Sequence, residues 1–287
     1  MIDIDLHMHS TCSDGLLEPE DLVNAAGRAG LGVIALCDHD SIAGVARAMA
    51  AGRARGVEVL TGVELSVAWQ NWRDVHLLGY GIDLASPELL RCLATFAERR
   101  ANRNREIVAA VNRRLDHEGR QPLDPDDVTA LAGGVMGRPH IARALMARAY
   151  VASMEEAFDR YLVPCDVPKT YWPMEEAIAA IRRAGGAAVL AHPTSISTDF
   201  TVLERLVGGL AAIGLDGVEV YNSMASEAEA AFLQGLTRRH RLVTTAGSDF
   251  HGIDPGDTMG KGRGGIRFSG ALLPPLYARI AERQEPL

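Results

Sequence analysis

Short apolar segments alternate with amphipathic helical segments at both ends of the chain, and this alternation restricts the possible folds more than any other feature. Predicted strands cover Ile2–Met8, Val33–Cys37, Val57–Val67, Val75–Tyr80, Ala187–Ala191, Gly217–Tyr221 and Leu242–Ala246. Predicted helices cover Pro19–Ala29, Ile42–Arg55, Met174–Ala184, Val202–Ile213 and Glu227–Arg239. Strands that alternate with helices of this length indicate βα units and a parallel sheet. With about seven units, the sequence predicts an α/β protein whose sheet closes into a barrel.

The middle of the chain interrupts this alternation. From Pro87 to Leu162 the patterns are helical, with a long arginine-rich helix over Pro87–His117, a helix that opens at Arg138 and another over Met154–Leu162. A strand-free stretch of this length is unusual for a βα loop. We therefore predict a small helical insertion domain at residues 99–165 in a barrel domain made of residues 1–98 and 166–287. The alternative is that these helices are outer helices of the barrel.

Charge and composition limit the function classes. The formal charge of −8 argues against a protein that coats long nucleic acid, although bound divalent cations could make a local pocket positive enough for a short nucleotide. No apolar run is long enough to span a bilayer, and the first residues lack the features of a secretory signal, so we expect a cytoplasmic protein without membrane association. The cysteines form no CxxC pair, which disfavours disulfides and a structural zinc site.

Histidine and carboxylate residues fall where the predicted strands end. His7 and His9 end the first strand, and the other candidates are Asp14, His39, Glu64, His76, His192, Asp249 and His251. Residues two apart on a strand point to the same side, and the strand ends of a βα barrel open on one face, where active sites are built. Imidazole and carboxylate are the usual protein ligands of zinc, manganese and iron. The sequence therefore predicts a cluster of divalent cations on that face.

The motifs at these positions resemble those of the PHP family, named after polymerase and histidinol phosphatase. The matching segments are His7-Met8-His9-Ser10, Ser13-Asp14-Gly15, Asp38-His39-Asp40, Gly62-Val63-Glu64, His76, Ala191-His192-Pro193 and Gly247-Ser248-Asp249-Phe250-His251. Members of the family are distorted seven-stranded barrels with a trinuclear metal site. The resemblance thus implies a distorted (β/α)7 barrel and a metal-dependent phosphoesterase.

Transferred by position, the resemblance also implies the distribution of ligands over three metal sites. One metal ion would be held by His7, His9, Glu64 and Asp249. A second would be held by His76 and His192, with Glu64 as the bridge to the first. The third would be held by Asp14, His39 and His251. Many relatives carry cysteine where His192 stands, and the harder imidazole ligand favours manganese or iron over zinc. We expect two or three ions per chain, with manganese favoured. The wider amidohydrolase class also begins with a His-x-His strand, but its dinuclear members often bridge the two metal ions with a carboxylated lysine. Neither lysine of this chain ends a strong predicted strand, so we set this alternative aside.

Neighbouring cations can activate a water molecule and stabilise the oxygens of an in-line phosphoryl displacement, so that no nucleophilic side chain is needed. The chain has neither a GxSxG elbow nor a GxxxxGK[ST] phosphate loop. We therefore expect the cations to activate the attacking solvent and Asp249 to be essential. The departure of the leaving oxygen would be assisted by His39, by His192 or by a metal-bound water molecule.

The segment Met136-Gly137-Arg138-Pro139-His140 and the short insertion resemble a bacterial PHP subgroup of 3′,5′-nucleoside bisphosphate phosphatases. These enzymes remove the 3′-phosphate and leave a 5′-nucleotide, and some trim short RNA from its 5′ end. The resemblance implies a small nucleotide or a short RNA end as substrate, and no stable protein partner is implied. The predicted substrate-binding residues are Arg103, Asn104, Arg138, His140 and His39, with Tyr150, Tyr171 or Trp172 as candidates for stacking on the base, although core positions are expected for these aromatic residues.

Other interpretations remain open at this point. Arg99, Arg100, Arg113 and Arg114 are expected on a solvated helix face. The glycine-rich segment Gly260–Gly264 could form a mobile loop over the site or a turn-rich connector. We expect the connector. The alternative functions are a histidinol-phosphate phosphatase and a non-catalytic metal-binding or polymerase-associated module.

Overall fold

The computed structural model describes residues 2–131, 137–253 and 256–284, so that Met136 of the insertion motif lies outside the described residues. The strands are β1 Asp3–Met8, β2 Leu31–Leu36, β3 Glu58–Trp69, β4 Trp72–Tyr80, β5 Trp172–Pro173, β6 Ala187–Leu190, β7 Gly217–Tyr221 and β8 Val243–Ala246. The α-helices are α1 Pro19–Arg28, α2 Val45–Arg55, α3 Pro87–His117, α4 Pro125–Leu131, α5 Arg138–Ala147, α6 Met154–Ala157, α7 Met174–Arg183, α8 Phe200–Ala212, α9 Glu227–His240 and α10 Leu273–Gln284.

Seven strands follow one another in the order β1-β2-β3-β4-β6-β7-β8, and the short β5 pairs with β3. The end of β1 also bonds to the segment that follows β8: Asp249 N donates to His7 O over 2.9 Å, and His9 N donates to Phe250 O over 2.9 Å. These bonds bring the first and last strands together. The architecture is the distorted (β/α)7 barrel that the family resemblance implied.

The expectation of an all-parallel sheet is wrong for β4, which runs antiparallel to both β3 and β6. Only Gln70 and Asn71 separate β3 from β4, and parallel pairing would need a crossover of about a dozen residues. As a result, Glu64 and His76 lie within their strands and not at strand ends. Because Glu64 pairs with Leu78 and Ser66 with His76, the two predicted ligands share one face of the hairpin.

Apolar residues are buried on both faces of the sheet, as in other sheets that helices cover. The barrel interior contains Ile4, Leu6, Leu78 and Tyr80, whose hydroxyl donates to Leu6 O over 2.8 Å across the barrel. The other faces of β3, β4, β6 and β7 pack against α7, α8 and α9, and those of β1 and β2 pack against α1 and α2. The site is therefore built on strands that are held from two sides.

The chain between β4 and β5 contains no strand in its described part, residues 81–131 and 137–171. The first turns of α3 bury Leu89 and Leu93 against the barrel, whereas its second half buries Ile107, Val111 and Leu115 in a separate apolar cluster with residues of α5 and of the turns up to Leu162. The domain limits at residues 99 and 165 stay a prediction. No helix in the described ranges has the length and apolar character that a bilayer crossing requires.

Candidate metal centre and adjoining cavity

The carboxylate of Glu64, fully buried on β3, lies at the centre of the candidate site. Five imidazole nitrogens surround it: His7 Nε2 at 3.3 Å, His9 Nε2 at 3.3 Å and His39 Nδ1 at 2.9 Å from Oε2, and His76 Nδ1 at 2.9 Å and His192 Nε2 at 3.2 Å from Oε1. The predicted ligands from β1, β3, β4 and the loops after β2 and β6 thus converge on one carboxylate.

Asp249 and Asp14 extend this group on two sides. Asp249 Oδ1 lies 3.4 Å from His7 Nε2 and 3.1 Å from His9 Nε2. Asp14 Oδ1 lies 3.3 Å from His251 Nε2 and 3.8 Å from His9 Nδ1. All nine residues singled out in the sequence therefore lie together at one end of the barrel.

Three groups of ligand atoms are close enough to hold one ion each, with all atoms of a group within 4.8 Å of one another. The groups are His7, His9, Glu64 and Asp249; His9, Asp14, His39 and His251; and His39, Glu64 and His76. The first is the set that the family resemblance implied. The others differ in detail: His9 joins the second, and His39 takes the place expected for His192, whose Nε2 lies 3.3 Å from His76 Nδ1.

Four buried atoms in the cluster lie close to other polar atoms of the cluster but form no hydrogen bond of acceptable geometry among the described residues: His7 Nε2, Asp14 Oδ1, His39 Nδ1 and Glu64 Oε2. Buried polar atoms in native proteins are almost always paired, so four unpaired ones in a single cluster need an explanation. Bound divalent cations would coordinate all of them, and imidazole with carboxylate is a donor set that suits such ions. The residues present fit a multinuclear metal site.

The electrostatics of the cluster keep its carboxylates ionised. Burial raises the pKa of Glu64, but the imidazoles of His39, His76 and His7 outweigh that effect and hold the pKa well below its usual value. Burial, assisted by the charge of His251, lowers the pKa of His9 to about 4. An ionised carboxylate and a neutral imidazole are the forms that bind metal.

A cavity of about 230 Å³ adjoins the cluster, and Asp14, His39 and His76 form part of its wall. Its other polar lining residues include Arg100, Arg103, Asn104, Arg138 and Lys169. Four of the five predicted substrate residues, Arg103, Asn104, Arg138 and His39, therefore line this cavity. The fifth, His140, is buried behind the wall, where its Nδ1 accepts a hydrogen bond from Gly137 N over 3.0 Å at the start of α5.

Two cations of the cavity differ from the expectation. Arg100 is not on a solvated helix face: it forms an ion pair with Asp40 and donates to His39 O over 3.2 Å, because α3 passes directly over the loop after β2. Lys169 was not singled out in the sequence, where it follows no predicted strand. Its Nζ lies 2.6 Å from Asp74 Oδ1 on β4.

The remaining cations of the cavity are only partly neutralised. Arg103 donates to Val167 O and to Asp166 Oδ1, each over 2.6 Å. Arg138 Nη1 lies 3.6 Å from the same Asp166 Oδ1, and its guanidinium carbon is 5.6 Å from the centre of the Phe158 ring. Two arginines thus share one carboxylate next to the metal cluster, which is an arrangement that favours an anionic ligand.

Of the aromatic candidates for base stacking, Tyr150 and Trp172 lie outside the cavity wall, whereas Tyr171 lies beside the cavity, with its ring centre 5.3 Å from the Nζ of Lys169. Trp172 is buried in the barrel core, where it stacks on Phe96 with ring centres 4.6 Å apart, as expected for a core position. Tyr150 donates its hydroxyl to Gln121 O over 3.1 Å. Phe158, which sequence reasoning missed, is the aromatic residue in the cavity wall.

Residues 5–163, more than half of the chain, match the family model of the PHP domain. The chain belongs to the PHP family. Among curated proteins it is 36% identical over 263 residues to the 5′-3′ exoribonuclease Rnm of Salmonella typhimurium, with 90% of this chain and 88% of the relative covered. It is 35% identical over 259 residues to a 3′,5′-nucleoside bisphosphate phosphatase of Chromobacterium violaceum, with 88% of each covered.

Solved structures agree with this assignment. A protein from Bifidobacterium adolescentis, described as a metal-dependent phosphoesterase, superposes with a TM-score of 0.82 at 29% identity over 97% of this chain and 96% of its own. A Chromobacterium violaceum structure described as an amidohydrolase with bound sulfate and no metal gives a TM-score of 0.80 at 32% identity, covering 98% and 96%. The PHP protein described here is accordingly a metal-dependent phosphoesterase.

A buried carboxylate behind the cluster, Glu219 on β7, was missed in the sequence. Its Oε1 lies 3.0 Å from His7 Nδ1, and its Oε2 accepts a hydrogen bond from His192 N over 2.9 Å. It therefore orients two predicted ligands of the PHP site at once, as second carboxylates behind metal-binding histidines do. The signal in the sequence is an acid between Val218 and Val220 in an otherwise apolar strand.

Replacing Glu219 by glutamine is expected to weaken metal binding by about tenfold, because the neutral amide cannot fix the His7 ring as a carboxylate does. Metal titration of the stripped protein, followed by calorimetry, measures this change. Glu204→Gln, at an exposed surface pair with Arg239, is the matched control and should bind metal normally. An unchanged affinity in the Glu219 variant would show that His7 needs no such partner.

Two further buried acids hold the loops that carry predicted ligands. Asp38 accepts hydrogen bonds from Ser10 N over 2.8 Å and from the Ser13 hydroxyl over 2.7 Å, which fixes the loop before Asp14. Asp5 accepts from Ser248 N over 2.9 Å and from the Ser248 hydroxyl over 2.6 Å, which fixes the loop of Asp249. The two aspartates tie the ends of β1, β2 and β8 together beneath the site.

Gly247 permits a close approach at the end of β8. A Cβ atom at this position would lie 2.2 Å from His7 Cβ and 2.7 Å from Glu219 Oε1. Gly247→Ala is therefore expected to cost about 1–3 kcal/mol of unfolding free energy and to reduce metal content, because His7 must move. Urea unfolding and metal analysis test both effects. Gly235→Ala on α9, where a Cβ would meet no atom within 4 Å, should leave metal content unchanged and not destabilise the protein.

Proposed function

We propose that this PHP protein removes the 3′-phosphate of nucleoside 3′,5′-bisphosphates, such as adenosine 3′,5′-bisphosphate, and leaves the 5′-nucleotide. The main support is that the predicted metal cluster and the cationic cavity share a wall formed by Asp14, His39 and His76. One phosphate can lie at the cluster while the other binds the arginines. The named activity of the Chromobacterium violaceum relative supports the same substrate class.

In this proposal the nine clustered residues hold two or three divalent cations, with manganese favoured. When bound, such cations stabilise negative charge on the phosphoryl oxygens and acidify the attacking solvent. Glu64 and Asp249 fix the positions of the ligand set, and Asp249 is essential for turnover. In the form with two cations, His39 or His192, whichever of the two is protonated and holds no cation, gives a proton to the departing O3′; His39 lies at the cavity wall, and the Nδ1 of His192 is held by the Ser195 hydroxyl at 2.9 Å.

The cavity would recognise the 5′-phosphate that is not cleaved. Arg138 and Arg103 contact it, with Asn104 beside them, and His140 acts from behind the wall by holding the start of α5. Arg100 and Lys169 add positive charge, and Phe158 provides an aromatic face for the nucleoside. Since most of these residues come from 99–165, this segment serves as the substrate-recognition domain of the enzyme.

A cationic substrate fits this cavity poorly. Histidinol phosphate carries an ammonium group and an imidazole that would face Arg100, Arg103, Arg138 and Lys169, and like charges at short range oppose binding. The bisphosphate would instead place its 5′-phosphate, an anion, next to these four cations. The charge of the cavity therefore favours the nucleotide over the amino alcohol ester.

A panel of phosphate-release assays with manganese tests the proposal. Adenosine 3′,5′-bisphosphate should be hydrolysed with a kcat/KM about 100-fold above that of adenosine 3′-monophosphate, because charge-assisted bonds to the 5′-phosphate contribute about 3 kcal/mol. Adenosine 5′-monophosphate should accumulate as the product. Faster hydrolysis of histidinol phosphate would refute the substrate assignment, and no hydrolysis of any ester would favour a non-catalytic metal-binding module.

A further inference from the structure

The cations in the wall of the arginine cavity differ in the carboxylates that they contact. They are Arg100, Arg103, Arg138 and Lys169. Arg103 and Arg138 lie beside Asp166, which is in none of the candidate metal groups of the described ranges. Arg100 instead forms an ion pair with Asp40, which directly follows a predicted metal ligand. Lys169 forms one with Asp74, two residues before another predicted ligand. Two of the cations are thus bound next to the ligands of the cluster.

Arg100 reaches from α3 to the loop after β2. Its guanidinium pairs with Asp40 Oδ2 through Nη2 and donates to His39 O over 3.2 Å through Nη1. The other oxygen of Asp40 accepts a hydrogen bond over 3.0 Å from Ser66 N, two residues beyond Glu64 on β3. Asp40 N donates to Glu64 O over 2.7 Å. Arg100 therefore completes a set of contacts that holds His39 against Glu64.

Asp40 depends on this partner for two reasons. Its side chain is buried, and a buried carboxylate is costly unless it is paired. Its backbone has a φ of 50°, a conformation that persists only where surrounding contacts hold it. Removal of the guanidinium would leave a buried charge without its ion pair, so the loop that carries His39 is expected to shift.

Lys169 supports His76 through Asp74 on β4. Its Nζ lies 2.6 Å from Asp74 Oδ1, and the same oxygen lies 3.7 Å from His76 Nε2. The other ring nitrogen, His76 Nδ1, is 2.9 Å from Glu64 Oε1 in the cluster. A carboxylate on the far side of a metal-binding imidazole orients the ring. Asp74 also has a positive φ, 57°, so it too needs contacts that hold it in place.

We propose that Arg100 and Lys169 are positioning residues for one divalent cation and not direct ligands of the substrate. The cation is the one that the group of His39, Glu64 and His76 would hold, whose ligand atoms lie within 4.8 Å of one another. Arg100 supports the first histidine, and Lys169 supports the second through its aspartate. The inference rests on the proposed metal cluster and is independent of the proposed substrate.

The more deeply buried group is supported from another side. Its members are His7, His9, Glu64 and Asp249. Glu219 on β7 lies 3.0 Å from His7 Nδ1, and Asp5 on β1 holds the loop of Asp249 through Ser248. These supports belong to the barrel, whereas Arg100 lies in the segment 99–165 and Lys169 soon after it. Loss of the two cations should therefore weaken one ion and spare the other.

Manganese titration of the metal-stripped, full-length protein, followed by calorimetry, tests this selectivity. Arg100→Gln with Lys169→Gln should bind one ion about 100-fold more weakly than the wild type and change the affinity for the tightest ion by no more than about twofold, because the loss of a residue that orients a metal ligand costs about 10–100-fold in affinity. Arg99→Gln, at the exposed neighbouring position on α3, is the matched control and should bind every ion as the wild type does.

Turnover separates positioning from recognition. At a manganese concentration that just fills the wild-type sites, the double variant should lose about 30-fold in kcat on adenosine 3′,5′-bisphosphate and on adenosine 3′-monophosphate alike, with KM changed by no more than about threefold. Excess manganese should restore most of the kcat, since it refills the weakened site. Loss of a ligand of the 5′-phosphate would instead raise KM for the bisphosphate alone, and manganese would not reverse that rise.

Two variants of Lys169 keep the test decisive even where the loss of Arg100 unfolds the protein. Lys169→Gln alone alters an ion pair whose carboxylate is exposed, and it should weaken the same ion about tenfold. Lys169→Arg keeps the charge beside Asp74 and should retain most of the affinity.

Three results would each overturn the inference: unchanged affinities for all ions, an equal weakening of every ion, or a KM increase of about tenfold or more that is confined to the bisphosphate. A wild-type enzyme that prefers another phosphate ester would refute the proposed substrate and leave this inference standing. A wild-type protein that binds no manganese would refute the proposed cluster together with it.

Discussion

Replacing Glu64 by glutamine should reduce turnover by about 1,000-fold, equivalent to about 4 kcal/mol of transition-state stabilisation. The reason is geometric, because five imidazole nitrogens lie within 3.3 Å of this one carboxylate. An amide of the same shape presents one acceptor oxygen and an NH2 group, which points two donors at ligand atoms. Phosphate release from adenosine 3′,5′-bisphosphate gives the turnover, and elemental analysis of the purified variant gives the metal content.

Glu58→Gln is the matched control for this experiment. Glu58 begins the same strand, is exposed and accepts a hydrogen bond from the Tyr277 hydroxyl over 2.5 Å, away from the site. The Glu58→Gln variant should retain wild-type metal content and turnover. If Glu64→Gln retained its metal and turned over at the wild-type rate, the carboxylate would not bridge the sites, and the predicted organisation of the cluster would be wrong.

The convergence of the cluster could be predicted because most of its residues follow local rules. His7 and His9 are two apart on one strand and so point the same way, and the strand ends at Asp38-His39 and at His192 were visible from their apolar runs. Glu64 and His76 do lie together in the cluster, but the expected reason, two strand ends on one face, was wrong. They meet because β3 and β4 form a hairpin, and the short Gln70-Asn71 turn between two strand-like runs was the overlooked signal.

The supporting acids and the cavity could not be predicted in the same way. Glu219 and Asp5 contact residues more than 200 positions away in the chain, so their roles depend on how the barrel closes. The partner of Arg100 likewise depends on where α3 crosses the loop after β2. An arginine on a helix looks the same in the sequence whether it faces solvent or a neighbouring loop. Tertiary contacts, and not local patterns, decide between these cases.

Arg138 is the residue whose loss should most affect substrate selection. Arg103 is held by Val167 O and Asp166, and Arg100 by Asp40 and His39 O, whereas Arg138 has its nearest carboxylate oxygen within the described ranges 3.6 Å away, on Asp166. Its guanidinium is therefore the most available for a phosphate. Arg138→Ala should raise KM for adenosine 3′,5′-bisphosphate about 100-fold, since a hydrogen bond to a charged group contributes about 1.5–3 kcal/mol.

The ratio of kcat/KM for two substrates separates an effect on recognition from an effect on catalysis. Adenosine 3′-monophosphate lacks the 5′-phosphate, so Arg138→Ala should leave its kcat/KM unchanged, and the preference for the bisphosphate should nearly vanish. Arg99→Ala is the control, because Arg99 is exposed on α3 with its guanidinium carbon 5.3 Å from the Phe96 ring centre, and it should preserve the preference. An equal loss on both substrates would mean that Arg138 maintains the cluster itself. In that case the 5′-phosphate must bind elsewhere, and the shared wall of cavity and cluster would no longer explain the choice of substrate.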